Sequence, residues 1–196
     1  MSAATAVPGY RIEGHAIVSA DDRIAGADGV TPPALNNAVD WARFQTALDQ
    51  SALVVLGRLS HEANPNHKNR PRLVVSSSAA AIEKRSDAWW WNPAGVSIAD
   101  ALRSAAPDGG TVAVPGGRLV FDLFLDIGFD AFHLSRAVRV CLPDGIPIFT
   151  AVAQGLTVAE VFTDHGMAPG PVEMLDRDAG VNLTVWQKTD PSLTKL

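Results

Sequence analysis

The sequence predicts a single α/β domain in which helices flank a mostly parallel, mixed central sheet, with antiparallel strands at the C-terminal end. Several short apolar runs do not alternate with polar residues, which is typical of strands covered on both faces. Helical patterns separate these runs, and this alternation is the mark of a largely parallel sheet. Near the C-terminus, apolar and polar residues do alternate, which indicates half-exposed antiparallel strands.

The predicted strands follow in chain order. The first is the β-compatible stretch 11–19, and a polar cluster of two aspartates and an arginine ends it. Five apolar runs then supply further strands, at 51–56, 72–76, 89–91, 111–114 and 131–134. Two later stretches alternate in polarity and are predicted as antiparallel strands, at 158–163 and 181–188.

The predicted helices lie between these strands. Asn36 or Asn37 can cap the first helix, because a side-chain amide oxygen accepts hydrogen bonds from free backbone N–H groups. This helix runs to about Gln50, and its apolar residues recur at helical spacing and predict one buried stripe: Trp41, Phe44 and Leu48. Helical patterns also cover 97–105 and 118–125.

Length and composition limit the functional classes. The chain has 196 residues, of which 47% are hydrophobic, so we expect a flexible tail at 1–10 and one domain at 11–190. A net charge of −5 argues against a nucleic-acid or an anionic membrane partner. No apolar run reaches the roughly 20 residues of a membrane span, and no signal peptide is visible, which favours a cytoplasmic protein. We expect a monomer or a homodimer.

Metal and nucleophile motifs are scarce. The single cysteine, Cys141, excludes an intrachain disulfide and a cysteine-ligated metal site. The histidines form no H-E-x-x-H pair, and His15 and His61 are interpreted as surface or loop residues. We therefore expect no metal. The sequence also lacks G-x-G-x-x-G, the P-loop motif and G-x-S-x-G.

Polar and glycine-rich segments follow three predicted strands, where open α/β sheets bind ligands. They are Gly57-Arg58 with Ser60, the triplet 76–78, and Gly116-Gly117. Glycines at a strand-to-helix turn let backbone N–H groups approach a phosphate, and an arginine supplies charge. The serines have a second interpretation as the cap of a helix beginning at Ala79.

Taken in order, these segments resemble the dihydrofolate reductase family over residues 14–149. The segment AIVSADDRIAG resembles the family's first strand and D-R-x-I-G turn, and VDWARFQTALDQSALVVLGRLSHE resembles its acidic helix followed by a strand ending in G-R-x-T-x-E. NRPRLVVSSS and VAVPGGRLVFDLFL resemble the next strand and the V-x-G-G-x-x-x-Y/F segment, and FDAFHLSRA the strand after it.

The resemblance implies an NADPH-dependent reductase that transfers hydride to a C=N bond of a pterin-like heterocycle. It assigns Asp40 as the catalytic acid that holds the ring, with Phe44, Arg70 and Ser135 binding the substrate. It assigns cofactor binding to a longer set: Val18, Gly57, Arg58, Ser60, Ser76, Ser77, Gly116, Gly117 and Arg118. Arg58 and the serines favour NADPH over NADH.

Three alternatives remain open from the sequence. SADDRIAGADG also resembles the S-x-D-G-x-x-A segment of the riboflavin-pathway reductases, which share this fold and reduce a ribosylamino-pyrimidine. A non-catalytic NADP-binding protein would have the same glycine-rich and polar segments at the ends of its strands. Asp40 also has a structural interpretation, as the acid that complements the helix dipole three residues after Asn37. If Asp40 instead borders the apolar stripe, its pKa should rise.

Overall fold

Eleven strands and six α-helices form the part of the chain described by the computed structural model, residues 7–189. The strands are β1 (Tyr10–Ser19), β2 (Arg23–Ala25), β3 (Leu53–Gly57), β4 (Arg72–Val75), β5 (Ile82–Lys84), β6 (Trp89–Trp91), β7 (Gly110–Gly116), β8 (Ala131–Ala137), β9 (Ile146–Pro147), β10 (Met167–Asp176) and β11 (Val181–Lys188). The helices are α1 (Ala38–Gln50), α2 (Arg58–Ala63), α3 (Ile98–Ala105), α4 (Arg118–Ile127), α5 (Thr150–Ala153) and α6 (Val158–Asp164).

Nine of these strands form one mixed sheet in the order β10-β11-β8-β1-β7-β3-β4-β6-β5. The six strands from β8 to β6 run parallel to their neighbours, whereas β5, β11 and β10 pair antiparallel at the two edges. The remaining two, β2 and β9, form a small separate ladder. The predicted fold class is thereby confirmed.

The two faces of the sheet differ in character. One face packs against α3, α4 and α6 through the main apolar core, whose fully buried members include Phe121, Phe124, Phe132 and Phe162. The opposite face packs against α1 and is called here the α1 face. Its apolar cluster is smaller and contains Leu48, Val54, Leu56 and Ala113, with Phe44 packed against it. The α1 face therefore leaves room for polar groups.

Helix α1 begins where the sequence predicts. The Asn37 side chain accepts hydrogen bonds from the backbone N–H groups of Val39 and Asp40, each at 3.1 Å. The predicted stripe is wrong in one member, because Trp41 is 59% exposed. The residues turned toward the sheet are instead Asp40, Phe44 and Leu48 at intervals of four, which share one face of a helix.

Residues 158–163, predicted as a strand, form helix α6. The buried residues Val158, Val161 and Phe162 recur at intervals of three and four, so the sequence of this segment fits a helix as well as an alternating strand. A capping box between Thr157 and Glu160 begins this helix and decides between the two periods. Strand β11 pairs antiparallel with β8 on one side and with β10 on the other, and the sequence does not predict β10.

No helix begins at Ala79. The chain turns after β4 and returns as β5, which pairs antiparallel with β6 through Ile82 opposite Trp91. Asn92 stabilises this return, because its backbone N–H donates to the carbonyl of Ala81 and its side chain to that of Ala79. The Ser76 hydroxyl accepts instead from the backbone N–H of Ser78, at 3.1 Å.

The predicted tail is described only in part. Residues 1–6 of the predicted tail lie outside the described residues, and so does residue 190, the last residue of the predicted domain. Val7 is buried in the main core, and β1 begins at Tyr10. Within the described range, no helix combines the length and the apolarity that crossing a membrane requires.

Candidate active site

Three chain segments with phosphate-binding potential follow neighbouring parallel strands and lie at one edge of the sheet. Leu56 on β3 pairs with Gly116 on β7, and Gly57 pairs with Val75 on β4. Because parallel strands end at the same edge, the segments after Gly57, Val75 and Gly116 are adjacent in space. A Cβ atom built on Gly117 would lie 3.8 Å from the Ser60 hydroxyl oxygen, so the first and third segments meet.

The two-glycine turn before α4 has a backbone that only glycine adopts without strain. Gly116 has φ 92° and Gly117 has φ 85°. A Cβ atom on Gly116 would lie 2.1 Å from the ring of the buried Phe121, whereas one on Gly117 would meet nothing closer than 3.8 Å. Gly116 is thus needed for packing, and Gly117 leaves an open approach to the N-terminus of the ten-residue helix α4.

Cationic side chains accompany these turns. Arg58, the first residue of α2, is half exposed, and its guanidinium lies 2.9 Å from Glu62 one turn later. Arg118 begins α4, and its Nε atom is buried without a hydrogen-bond partner among the described residues. A buried N–H group without a partner carries a desolvation cost that an anionic ligand would relieve. Ser77 is exposed beside them.

Asp40 and Ser135, which the resemblance assigns to the substrate site, lie close to each other. Asp40 lies in the first turn of α1, and Ser135 lies on β8 opposite Ile17 of β1, near the carboxyl ends of both strands. Burial raises the pKa of the Asp40 carboxyl above its ordinary value. This effect of burial outweighs the opposing effects of a hydrogen bond from Ser135 and the charge of Arg43, both of which lower the pKa. The expected upward direction is therefore confirmed.

The other predicted site residues occupy different surroundings. Phe44 is half buried on α1, with its ring centroid 6.3 Å from that of His15. Val18 is fully buried on the core face near the end of β1. Arg70 points toward the C-terminal half of α1, where its guanidinium donates to Asp49 at 2.6 and 2.8 Å and to the Gln45 side chain at 2.7 Å. These contacts fix the loop before β4 to α1.

A cluster that the sequence analysis did not assemble lies further along the α1 face. Glu13 and His15 share one face of β1, and His133 on β8 is the direct partner of His15. His15 is buried rather than at the surface as predicted, because the paired strands and Phe44 enclose its ring. An E-x-H pattern within a predicted strand, with a further histidine in a later strand, is the signal that could have found this cluster.

Electrostatics in this cluster favour an ionised glutamate beside a neutral histidine. A hydrogen bond from His133 outweighs desolvation and, with the hydrogen bond from Arg11, lowers the pKa of Glu13 to about 2. Burial lowers the pKa of His15 to about 4, since a charged imidazole loses its hydration there. The Arg11 contact uses Oε1 of Glu13, at 2.6 Å, while Oε2 faces the histidines.

A groove that none of these groups enters lies beside α2 and β6. It has a volume of about 570 Å³, and His61, Arg72, Asp87 and Trp90 are among the residues that line it. His61 Nε2 donates to the Asp87 carboxylate at 2.7 Å, and its Nδ1 accepts from Arg72 at 3.1 Å. None of the predicted site residues lines it, so the chemical groups of interest converge at the sheet edge and on the α1 face instead.

Solved structures of other proteins share this architecture. The fold is the dihydrofolate reductase-like fold. A pyrimidine reductase-like protein from Corynebacterium diphtheriae superposes with a TM-score of 0.66 at 13% identity, covering 92% of each chain. A protein from Shewanella sp. PV-4 assigned to riboflavin biosynthesis superposes with a TM-score of 0.63 at 15% identity, covering 92% of this chain and 99% of that one.

A third similar structure is longer than this chain. It is a diaminohydroxyphosphoribosylaminopyrimidine deaminase/5-amino-6-(5-phosphoribosylamino)uracil reductase from Thermotoga maritima, with a TM-score of 0.63 and 15% identity. The match covers 92% of this chain and 57% of that one. No protein-family model and no curated protein matches the chain.

The segment that resembles S-x-D-G-x-x-A has a conformation consistent with that pattern. Asp22 stands where the pattern has glycine, and it adopts φ 63°, a left-handed conformation that aspartate tolerates better than most residues. Its carboxylate pairs with Arg136 on β8 and accepts from the backbone N–H of Val158. The Ser19 hydroxyl donates to Asp21 at 2.7 Å, which closes the turn between β1 and β2.

Proposed function

We propose that this protein is an NADPH-dependent reductase that adds hydride to the C=N bond of a ribosylamino-pyrimidine. The observation that carries the proposal is the convergence of three strand ends at one edge of the sheet, in a fold shared with pyrimidine reductase-like proteins, with a carboxyl group of raised pKa near the same edge at β8. The open-chain form of a ribosylamine contains a C=N bond. Its reduction requires hydride at carbon and a proton at nitrogen.

The residues at the sheet edge fit the phosphorylated cofactor. The turn at Gly117 leaves room for a ligand to approach the backbone, and the unpartnered Nε atom of Arg118 lies at the start of helix α4, which follows this turn. Arg58 and the exposed Ser77 would hold a ribose phosphate through charge-assisted and neutral hydrogen bonds. When bound, NADPH supplies the hydride. The protein contributes orientation and electrostatic stabilisation.

Asp40 would control the proton. A raised pKa keeps the carboxyl protonated at a higher pH than an ordinary aspartate, so it can donate a hydrogen bond to the nitrogen of the acceptor or to a water beside it. Ser135 limits the rise of the Asp40 pKa, because its hydroxyl stabilises the ionised carboxylate. Phe44, one turn later on α1, would cover the ring of the heterocycle.

A pterin-like substrate is the second candidate. The pair of Asp40 with Ser135 specifically favours it, because this pair matches the acid and hydroxyl of the dihydrofolate reductase resemblance. Both candidates use a C=N acceptor and the same cofactor. They differ in whether the site must accept a phosphorylated sugar.

A substrate panel that follows NADPH absorbance separates the candidates. We expect oxidation of NADPH with the phosphoribosylamino-pyrimidine and little or none with dihydrofolate. The reverse result would favour the pterin candidate. A thermal shift with NADPH but no oxidation with either substrate would indicate a non-catalytic nucleotide-binding protein.

A further inference from the structure

The α1 face brings together three side chains of the kind that bind transition metals. Glu13 and His15 are two residues apart on β1 and therefore point to the same face. His133 on β8 is directly opposite His15 in the parallel pair. Adjacent strands lie about 4.8 Å apart, so one carboxylate and two imidazoles extend into the same small volume.

The donor atoms are close to the separation that a metal requires. Oε2 of Glu13 lies 3.5 Å from Nε2 of His133 and 4.0 Å from Nε2 of His15. One ligand atom from each of the three residues lies within 4.8 Å of the others. Ligand atoms on a tetrahedral zinc ion are about 3.3 Å apart, given bond lengths near 2.0–2.2 Å. Binding one ion would require the two imidazole rings to rotate out of their stacked arrangement, because a metal lies in the plane of each ring that binds it.

A second, independent observation points to a missing ligand. His15 is only 6% exposed, and its Nε2 atom is buried without a hydrogen-bond partner among residues 7–189. The ring stacks on that of His133, with centroids 4.6 Å apart and planes at 9°, and this contact supplies no hydrogen bond to Nε2. A buried polar atom without a partner is costly, and a metal ion would satisfy it.

The carboxylate is already arranged as a metal ligand with outer support. Arg11 binds Oε1 of Glu13 at 2.6 Å, which leaves Oε2 directed toward the two imidazoles. Outer hydrogen bonds of this kind orient ligating groups in metal sites. An ionised carboxylate and neutral imidazole are the forms in which these side chains bind a metal.

We propose that Glu13, His15 and His133 form a binding site for one divalent transition-metal ion, with Zn²⁺ the best match. Two imidazoles and one carboxylate suit zinc and leave a fourth position open for water or a ligand. His133 is two residues from Ser135 on the same face of β8, so the open position lies on the face that carries Asp40.

The test uses the tag-free, full-length chain after treatment with a chelator, titrated calorimetrically with ZnCl₂ and monitored with Co²⁺ by visible absorption. We expect one ion per chain and a tetrahedral or five-coordinate cobalt spectrum. Glu13→Gln and His133→Gln should each weaken Zn²⁺ binding more than about 10-fold, because each removes a direct ligand. Both residues are partly exposed, so neither change leaves an empty cavity.

His67→Gln is the matched control, since His67 is exposed and outside the cluster. It should leave Zn²⁺ binding unchanged. Absence of stoichiometric binding by the wild-type chain would overturn the proposal. So would binding that survives in both ligand variants, or that the control variant loses equally. NADPH is not present in this experiment, so its outcome is separate from that of the proposed reductase function.

Discussion

The Ser135 hydroxyl on β8 faces the Asp40 carboxyl in the first turn of α1 and opposes the rise that burial causes in the pKa of that carboxyl. This contact distinguishes Asp40 from an ordinary acid at a helix start. Asp100 occupies the equivalent third position of α3, where it is exposed, accepts from Ser97, and has a lowered pKa. The two acids share a helix position and differ in what they face.

That difference gives a matched test of the catalytic role. Asp40→Asn should reduce turnover by at least about 100-fold, the range expected for loss of a positioned acid. NADPH affinity should change less than about twofold, as measured by calorimetry. Asp100→Asn is the control and should leave turnover unchanged. Equal losses in turnover and NADPH affinity on replacing Asp40 would argue against this role.

The hydrogen bond from Ser135 predicts a shift in the pH dependence of the reaction. Because this bond lowers the pKa of Asp40, Ser135→Ala should raise that pKa further and move the corresponding limb of the kcat/KM profile to higher pH. Ser135→Thr keeps a hydroxyl and should keep the wild-type profile. An unshifted profile in the alanine variant would show that Ser135 does not act through Asp40.

The raised pKa of Asp40 also has a consequence for stability. The folded state retains this proton to a higher pH than the unfolded state, so the free energy of unfolding falls as pH rises from about 3.8 through the folded pKa. Asp40→Asn cannot ionise and escapes this loss. Its stability relative to wild type should therefore increase across that window, measured by denaturant unfolding at several pH values. A constant difference would contradict the pKa assignment.

The two glycines before α4 should respond differently to alanine. Gly116→Ala places a Cβ atom against the buried Phe121 ring and should cost more than about 2 kcal/mol of unfolding free energy. Gly117→Ala places a Cβ atom only at van der Waals distance from the Ser60 hydroxyl and should cost only about 1–2 kcal/mol for its left-handed backbone. The second variant should stay folded but bind NADPH more weakly. Retained NADPH affinity in folded Gly117→Ala would remove this turn from the cofactor site.

Arg58 should determine the preference between cofactors. Loss of a charge-assisted hydrogen bond to a phosphate costs about 1.5–3 kcal/mol, so Arg58→Gln should weaken NADPH binding at least about 10-fold and NADH binding little. Arg103→Gln is the control, because Arg103 is also an exposed helical arginine paired with an acid nearby. Equal effects on the two cofactors would mean that Arg58 does not contact the 2′-phosphate.

Local signals in the sequence predicted most of the parallel sheet and the strand-end turns. Asn37 caps α1 as expected, and the apolar runs became β3, β4, β6, β7 and β8. The failures arose where a short segment fits two periods, as in α6, or where prolines obscure an edge strand. Pro169 and Pro171 lie within β10, which pairs on one side only and so tolerates them.

The candidate site was predictable to a lesser degree. Asp40 and the glycine turns lie within motifs, so their positions could be inferred from spacing and resemblance. The cluster of Glu13, His15 and His133 depends on the pairing of β1 with β8, which are far apart in the chain. Nothing local specifies that pairing. Arg70 likewise required the structure, because its acidic partner Asp49 lies on a different element.

If three strand ends form one nucleotide-binding site, calorimetric titration of this chain with NADPH should detect it. The account predicts one NADPH per chain, with a stabilisation of about 2.7 kcal/mol when the ligand is at 100 times its dissociation constant. Heat of binding and thermal shift that are both absent with NADPH and with NADH would contradict it.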